Sequence, residues 1–156
     1  MVENQDGETL TETVTVTVTG QNDGPDAIDD TGTVDEDTVL KMDLVDGTNG
    51  DVGDSSVADT DPDTGDVLTI TALNGDTNTG SPIVLASGAT VFLNPDGTVN
   101  YDPNGQFEGL DVGESATDTY SYTITDSQGA TDTAIAVVTI QGVDAVSYTH
   151  LTLPTT

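Results

Sequence analysis

The chain of 156 residues predicts an all-β fold, a β-sandwich of roughly seven strands. Three observations carry that expectation. Thr and Val are abundant and alternate, as in TVTVTVT over residues 13–19, and β-branched side chains suit a pleated, half-buried surface. Gly-, Asn- and Asp-rich turn signals recur at intervals of about 8–12 residues. No stretch sustains a helical apolar period, so no helix is expected.

The elements follow in order. Asn22-Asp23-Gly24-Pro25 is a linker, and Pro25 stops the strand before it. Thr31 to Val34 is a short strand and Asp35-Glu36-Asp37 a turn. Thr38 to Leu44 returns, with Leu40 and Met42 on one face and Val39, Lys41 and Asp43 on the other. Residues 46–66 form a Gly/Asp/Ser/Thr loop longer than most structureless connections, and bound metal would explain it. Val67 to Leu73 is a strand that turns Leu68, Ile70 and Ala72 inward, ended by Asn74-Gly75-Asp76. Ile83 to Ala86 and Thr90 to Leu93 flank Ser87-Gly88, and Pro95-Asp96-Gly97 makes a tight hairpin into Thr98 to Tyr101. Thr119 to Thr125 points Tyr120, Tyr122 and Ile124 at the core. Ser127-Gln128-Gly129 then turns into Thr131 to Ile140, which is apolar on both faces and therefore central.

Charge narrows the function. The chain holds 29 Asp+Glu against one Lys+Arg, a formal net charge of -28, and the single cation is Lys41. Nucleic acid, anionic membrane and phosphate ligands require a basic surface, which this composition excludes. No Cys is present and the only His is His150, so disulfides, thiolate metal sites and histidine-based catalysis have nothing to build with. Trp is absent, so the paired carboxylates of a glycosidase would lack the usual aromatic platform, and no enzymatic activity or catalytic residue is expected. No run approaches ~18 apolar residues, so no segment is expected to insert in a membrane. The remaining chemistry is that of carboxylates, whose natural partner in such number is a hard cation such as Ca²⁺.

Both ends differ from the body. Residues 7–22, GETLTETVTVTVTGQN, repeat residues 129–144, GATDTAIAVVTIQGVD, with Gly7 matching Gly129, Val16 matching Val138 and Gly20 matching Gly142. Residues 1–24 are therefore expected to be the last strand of a preceding repeat plus a linker, with residues 25–145 as one complete repeat of a longer polypeptide. The opening MVENQDGETL is too acidic and polar for a signal peptide, so an export signal is expected elsewhere in the gene. The tail VSYTHLTLPTT, residues 146–156, loses the acidic alternating character and resembles a translated sequencing adapter; it is set aside as an artefact.

The strings GPDAIDDTGTVDEDTVLKMDLV, ADTDPDTGDVLTITALNG, NPDGTVNYDPNGQFEG and ESATDTYSYTITDSQGATDTAIAVVTI, in this order, resemble the bacterial cadherin-like repeats, including those named for Vibrio, Colwellia, Bradyrhizobium and Shewanella. The resemblance spans residues 7–145. It implies a Greek-key, cadherin/immunoglobulin-like sandwich that binds calcium and is strung in tandem along a large secreted adhesin at the bacterial cell surface. The family loop D-x-D-G-D stands here as Asp61-Pro62-Asp63-Thr64-Gly65-Asp66, with a Thr inserted.

Alternation of strand direction sorts the acids to two poles. Asn22, Asp23, Asp59, Asp61, Asp63 and Asp66 fall at the upper pole. Asp35, Glu36, Asp37 and Asp144 fall at the lower pole, joined by acids from residues 102–114. The resemblance implies metal at the junction of one repeat's lower pole with the next one's upper pole. The leading expectation is a calcium-stiffened spacer whose partners are neighbouring repeats, any cell-surface or biofilm ligand being reached through other domains. The alternative is a carbohydrate- or protein-binding module, or an accessory domain of a secreted enzyme; an exposed aromatic or apolar patch would mark it.

Overall fold

A computed structural model describes residues 12–143 in full and residues 2–3 and 9–10 by their backbone. Ten strands follow in chain order. These are β1 (Val2–Glu3), β2 (Thr9–Leu10), β3 (Asp30–Asp35), β4 (Leu40–Met42), β5 (Thr69–Leu73), β6 (Ile83–Val84), β7 (Thr90–Leu93), β8 (Val99–Asp102), β9 (Ser115–Thr125) and β10 (Thr131–Gln141). Strands β3 to β10 build two four-stranded sheets, ordered β3-β10-β9-β5 and β4-β8-β7-β6; β1 and β2 pair only with each other. No described residue is helical, and no helix is long and apolar enough to cross a membrane.

The predicted sandwich is present, with eight strands in its two sheets. All eight correspond to segments read as strands from the sequence, the expected Ile83 to Ala86 being reduced to the two-residue edge strand Ile83–Val84 on β7. As expected, β10 is central. It pairs antiparallel with β9 from Thr131↔Thr125 to Gln141↔Ser115, and parallel with β3 from Ala136↔Asp30 to Gln141↔Asp35. Alternation decides the burial: Ala134, Ala136, Val138 and Ile140 of β10 face the core, as do Tyr120, Tyr122 and Ile124 of β9. Tyr101 and Tyr120 stack across the sandwich with ring centroids 6.3 Å apart at 11°. Each fully buried Leu, Met or Ile here, such as Leu40, Met42, Leu73 and Ile140, contributes roughly 1.5–3 kcal/mol by leaving water.

Three details differ from the reading of the sequence. Asp43, expected to point outward, is buried at 4% exposure. The strand ends at Met42, and the Asp43 carboxylate turns in to accept the N–H groups of Asp46, Thr48 and Asn49. Burial raises the Asp43 pKa, but the bonds from Asn49, Asp46 and Thr48 outweigh it and hold the carboxyl below its usual range. Residues 46–66 are not one open loop. Residues 51–55 strap both sheets on one flank, where Thr33 N donates to Gly53 O at 2.8 Å, Ser55 N to Thr31 O at 2.9 Å and Asp51 N to Lys41 O at 2.8 Å. Gly53 permits this with φ +110°, and a Cβ there would lie 2.2 Å from Thr33 O. Finally, the Thr/Val alternation of residues 13–19 forms no ladder, and Val14, Val16 and Val18 are 79%, 78% and 88% exposed.

Candidate metal centre

The upper pole is assembled from three chain segments. Asp26 N donates to Thr60 O at 2.8 Å, which ties the linker to the Asp59–Asp66 loop. Asp23 N donates to Asp63 Oδ2 at 2.8 Å, and Asn22 Nδ2 donates to Asp126 Oδ2 at 2.8 Å. Carboxylates stitch the next residues in turn: Asp132 Oδ2 accepts Ala27 N and Asp59 Oδ1 accepts Ile28 N, at 2.8 and 2.7 Å.

Within this frame Asp61, Asp66 and Asp126 bring carboxylate oxygens to within 4.8 Å of one another. Two oxygens on opposite sides of a calcium ion, each at about 2.4 Å, are about 4.8 Å apart, so the trio has the span of one coordination sphere. Two of the trio keep an unfilled oxygen: Asp61 Oδ2 and Asp66 Oδ2 are buried with no hydrogen-bond partner, as is Asp59 Oδ2 in the same loop. Their sister oxygens are engaged, Asp61 Oδ1 by Asp63 N at 2.8 Å and Asp66 Oδ1 by the Ser127 hydroxyl. Asp59, Asp61, Asp63 and Asp66 line one cleft of about 420 Å³. Buried carboxylate oxygens without a donor cost several kcal/mol unless something cationic meets them, and the chain's only Lys is Lys41, on β4. The donor set therefore fits a hard cation. Asp61 and Asp66 would offer one free oxygen each, Asp126 and Asp59 would complete the acidic wall, and Asn22 would bring the linker to it.

Asp126 is the residue that sequence reasoning missed. It sits at the mouth of the β9–β10 turn, 6% exposed, and its Oδ1 accepts Gln128, Gly129 and Ala130 N at 2.9, 2.6 and 2.8 Å. The bond from Asn22 leads, and with these backbone N–H groups it holds the carboxyl below its ordinary range despite burial. In Asp126-Ser127-Gln128-Gly129 the Asp reads as a turn former; the signal that could have found it is its place opposite the linker once β9 and β10 are paired.

Behind the trio lies a carboxylate pair around one phenol. Tyr122 Oη donates within reach of Ile28 O (2.8 Å), Asp30 Oδ2 (2.9 Å) and Asp59 Oδ1 (3.3 Å). One hydroxyl hydrogen cannot serve all three acceptors. Burial first, and then the charges of Asp59 and Asp54 on Asp30 and of Asp132 and Asp26 on Asp59, push the two carboxyls up to about 6. Tyr122 is itself raised well above its ordinary value by burial and by its bonds to Asp30 and Asp59.

The lower pole is smaller. Glu36 is 6% exposed; its Oε1 accepts Val143 N at 3.1 Å and its Oε2 is buried without a partner. With Asp37, Glu108, Asp111 and three apolar residues it lines a cleft of about 140 Å³. Asp35 is the exposed last residue of β3 and accepts Thr38 N through its carbonyl at 3.0 Å. Asp144 lies outside the described residues. Of the predicted residues, the structure thus gathers Asn22, Asp61 and Asp66 about Asp126, places Asp59 in the cleft beside the loop, turns Asp63 toward the linker, and brings Glu36 and Asp37 together with Glu108 and Asp111. The Asn94–Gly97 segment is the expected hairpin turn, closed by Gly97 N to Asn94 O at 3.0 Å.

Two sheets with β3 paired in parallel to the last strand, and with carboxylates gathered where a linker meets a pole, define a cadherin-like sandwich. The chain belongs to the bacterial cadherin-like domain family, whose model matches residues 22–142, well over half of its length. A search of curated proteins gives no match. Family and fold agree with the resemblance read from the sequence, and an adhesin-type structural repeat is the role the family suggests.

Proposed function

We propose that the chain is a calcium-binding spacer repeat of a large secreted bacterial adhesin, stiffened by metal at the junctions between repeats. The observation that carries this reading is the set of orphaned buried carboxylate oxygens: Asp59, Asp61 and Asp66 at one pole and Glu36 at the other. Calcium at the upper pole neutralises three converging charges and clamps linker, loop and β9–β10 turn together. At the lower pole, Glu36 binds the backbone of Val143, so metal there would couple the sandwich to the chain that follows, Asp144 included. The partners in this reading are neighbouring repeats, with residues 1–24 belonging to the repeat before and residues 25–145 forming this one. The site is extracellular, where millimolar calcium saturates modules with Kd of ~10⁻⁴–10⁻³ M.

The surface supports a spacer over a carbohydrate-binding module. Among the described residues Tyr101, Tyr120 and Tyr122 are buried, and the exposed large apolar side chains are Val and one Ile, with no aromatic platform. The reading involves no catalysis. Calcium titration by isothermal calorimetry, with a thermal melt in chelator and in calcium, tests it: saturable heat and a raised melting temperature support it, and a chain indifferent to calcium in both refutes it.

A further inference from the structure

Asn-Gly is the dipeptide most open to attack by the backbone on its own side chain, because glycine has no Cβ to hinder the approach of its N–H to the carboxamide carbon. It occurs three times in this chain, at Asn49-Gly50, Asn74-Gly75 and Asn104-Gly105. All three asparagines are exposed and stand in turns or bends, so neither sequence nor exposure ranks them. The partners of each side chain do.

Asn49 is pinned at both ends. Its Nδ2 donates to Asp43 Oδ2 and to Thr48 Oγ1, each at 3.2 Å, and its N donates to Asp43 Oδ2 at 2.9 Å. Gly50 is pressed against the Asp54 carboxylate, which fills the place a Cβ would take. Asn104 is held once by its carboxamide, with Nδ2 donating to Gly88 O at 3.0 Å, and its carbonyl accepts Gln106 Nε2 at 2.9 Å. Asn74 N donates to Ser121 O at 2.7 Å, but its exposed carboxamide meets no hydrogen-bond partner among the described residues. Gly75 stands in open space, with nothing within 4 Å of where a Cβ would lie. The two bonds that close this turn belong to Leu73 and Asp76 and leave Gly75 N out.

We propose that Asn74 is a modification site, the asparagine of this chain that deamidates first. The Gly75 nitrogen gives its proton to solvent base and attacks Asn74 Cγ. The Cγ–Nδ2 bond breaks, ammonia leaves with a proton, and a succinimide ring closes. Water then opens the ring at one of its two carbonyls and leaves aspartate or isoaspartate, so no reactant beyond water is needed. Asn74 and Gly75 have φ of +48° and +78°, the two-residue hairpin turn that Asn-Gly favours. The ring closes when that tip frays, and exposed loop tips of small residues open at the least cost. Either product alters the turn. Aspartate places the first charge within residues 67–75, VLTITALNG. Isoaspartate adds a carbon to the backbone between Leu73 and Asp76, which bond each other at 3.0 Å (Leu73 N to Asp76 O) and 2.8 Å (Asp76 N to Leu73 O). Leu73 is fully buried and pairs with Tyr122, so the change is passed to β9.

The test ages the full chain at neutral pH and physiological ionic strength with calcium present. Samples taken over time are digested and mapped by mass spectrometry, which reads the replacement of NH2 by OH at each asparagine. Asn74 should convert first. Asn104 should follow about three- to tenfold more slowly, the factor that one net hydrogen bond sets, and Asn49, held by two, more slowly still. In urea the three sites should convert at comparable rates, because the ranking belongs to the fold. Equal rates in the folded chain overturn the proposal, as does a lead for Asn49 or Asn104. So does the same ranking in urea, or a folded chain that converts nowhere while the unfolded one does. The order does not depend on metal binding: a chain indifferent to calcium keeps it.

Discussion

The upper pole draws its carboxylates from positions far apart in the chain, the loop at 59–66 and the turn at 126, with the linker at 22–23 bonded to both. The lower pole presents one buried glutamate, three exposed acids and a small cleft that Val143 also lines. The same residue type at opposite ends thus stands in different states of completion. At the upper pole two orphan oxygens, of Asp61 and Asp66, converge with Asp126, and that of Asp59 lies in the cleft the loop lines; at the lower pole the one orphan oxygen is that of Glu36. The proposed junction metal accounts for this asymmetry. The upper half should bind by itself, and the lower half should wait for a neighbour.

The largest expected effect is on the upper pole. A ligand present at a hundredfold excess over its Kd stabilises the folded state by about 2.7 kcal/mol. For a domain of this size that amounts to about 5–10 °C. Chelator should therefore lower the melting temperature of the single repeat by that order, followed by circular dichroism, and readdition of calcium should restore it.

A second effect separates the pole's scaffold from its ligands. Tyr122→Phe removes the hydroxyl bonded to Ile28 O and Asp30 Oδ2 and leaves buried acceptors unserved, a loss of about 1–3 kcal/mol. Urea unfolding should show it in chelator as well as in calcium, because Tyr122 acts on the carboxylate pair and not on the cation.

The third concerns pH without metal. Asp30 and Asp59 titrate at about 6 in the fold against 3.8 for an ordinary Asp. Between those values the folded protein holds more protons than the unfolded chain, so stability falls as pH rises from about 4 to about 6 and then levels off. In chelator, urea midpoints should drop across that window by roughly 1–3 kcal/mol, and Asp30→Asn should flatten the slope. A flat profile for the parent would remove the pair from the account.

The smallest effect is at the lower pole. Glu36→Gln lies at the opposite end from the trio, and distant sites add within roughly 0.3–0.5 kcal/mol. The stabilisation of a single repeat by calcium should thus match the parent's within that margin. A loss of half the effect would mean that Glu36 already holds metal within one repeat.

The strands were legible because alternation and turn residues are local signals. Tyr120, Tyr122 and Ile124 had to share a face, and Asn94-Pro95-Asp96-Gly97 had to turn. The Asp59–Asp66 loop announced itself by its carboxylate spacing. Asp126, Asp30 and Asp43 did not, since each owes its state to partners distant in sequence or to a turn that hides it. Asp126 is bonded by Asn22, 104 residues away, Asp30 by Tyr122 and Val57, and Asp43 is wrapped by its own following turn. The strap at 51–55 was invisible for another reason: Gly, Asp and Ser there follow no strand period, and its pairing is imposed by two sheet edges that need covering.

The central claim is that Asp61 and Asp66 hold a divalent cation with Asp126. Replacing both Asp61 and Asp66 by Asn removes two converging charges while keeping the oxygens that accept Asp63 N and the Ser127 hydroxyl. The stability of this double variant relative to the parent, measured in chelator and again in saturating calcium, tests the claim directly. In chelator the variant should be the more stable, because repulsion at the pole falls; in calcium it should be the less stable, because hard cations prefer charged oxygens. A difference of the same sign in both conditions would contradict the account and leave the upper pole as acidic surface.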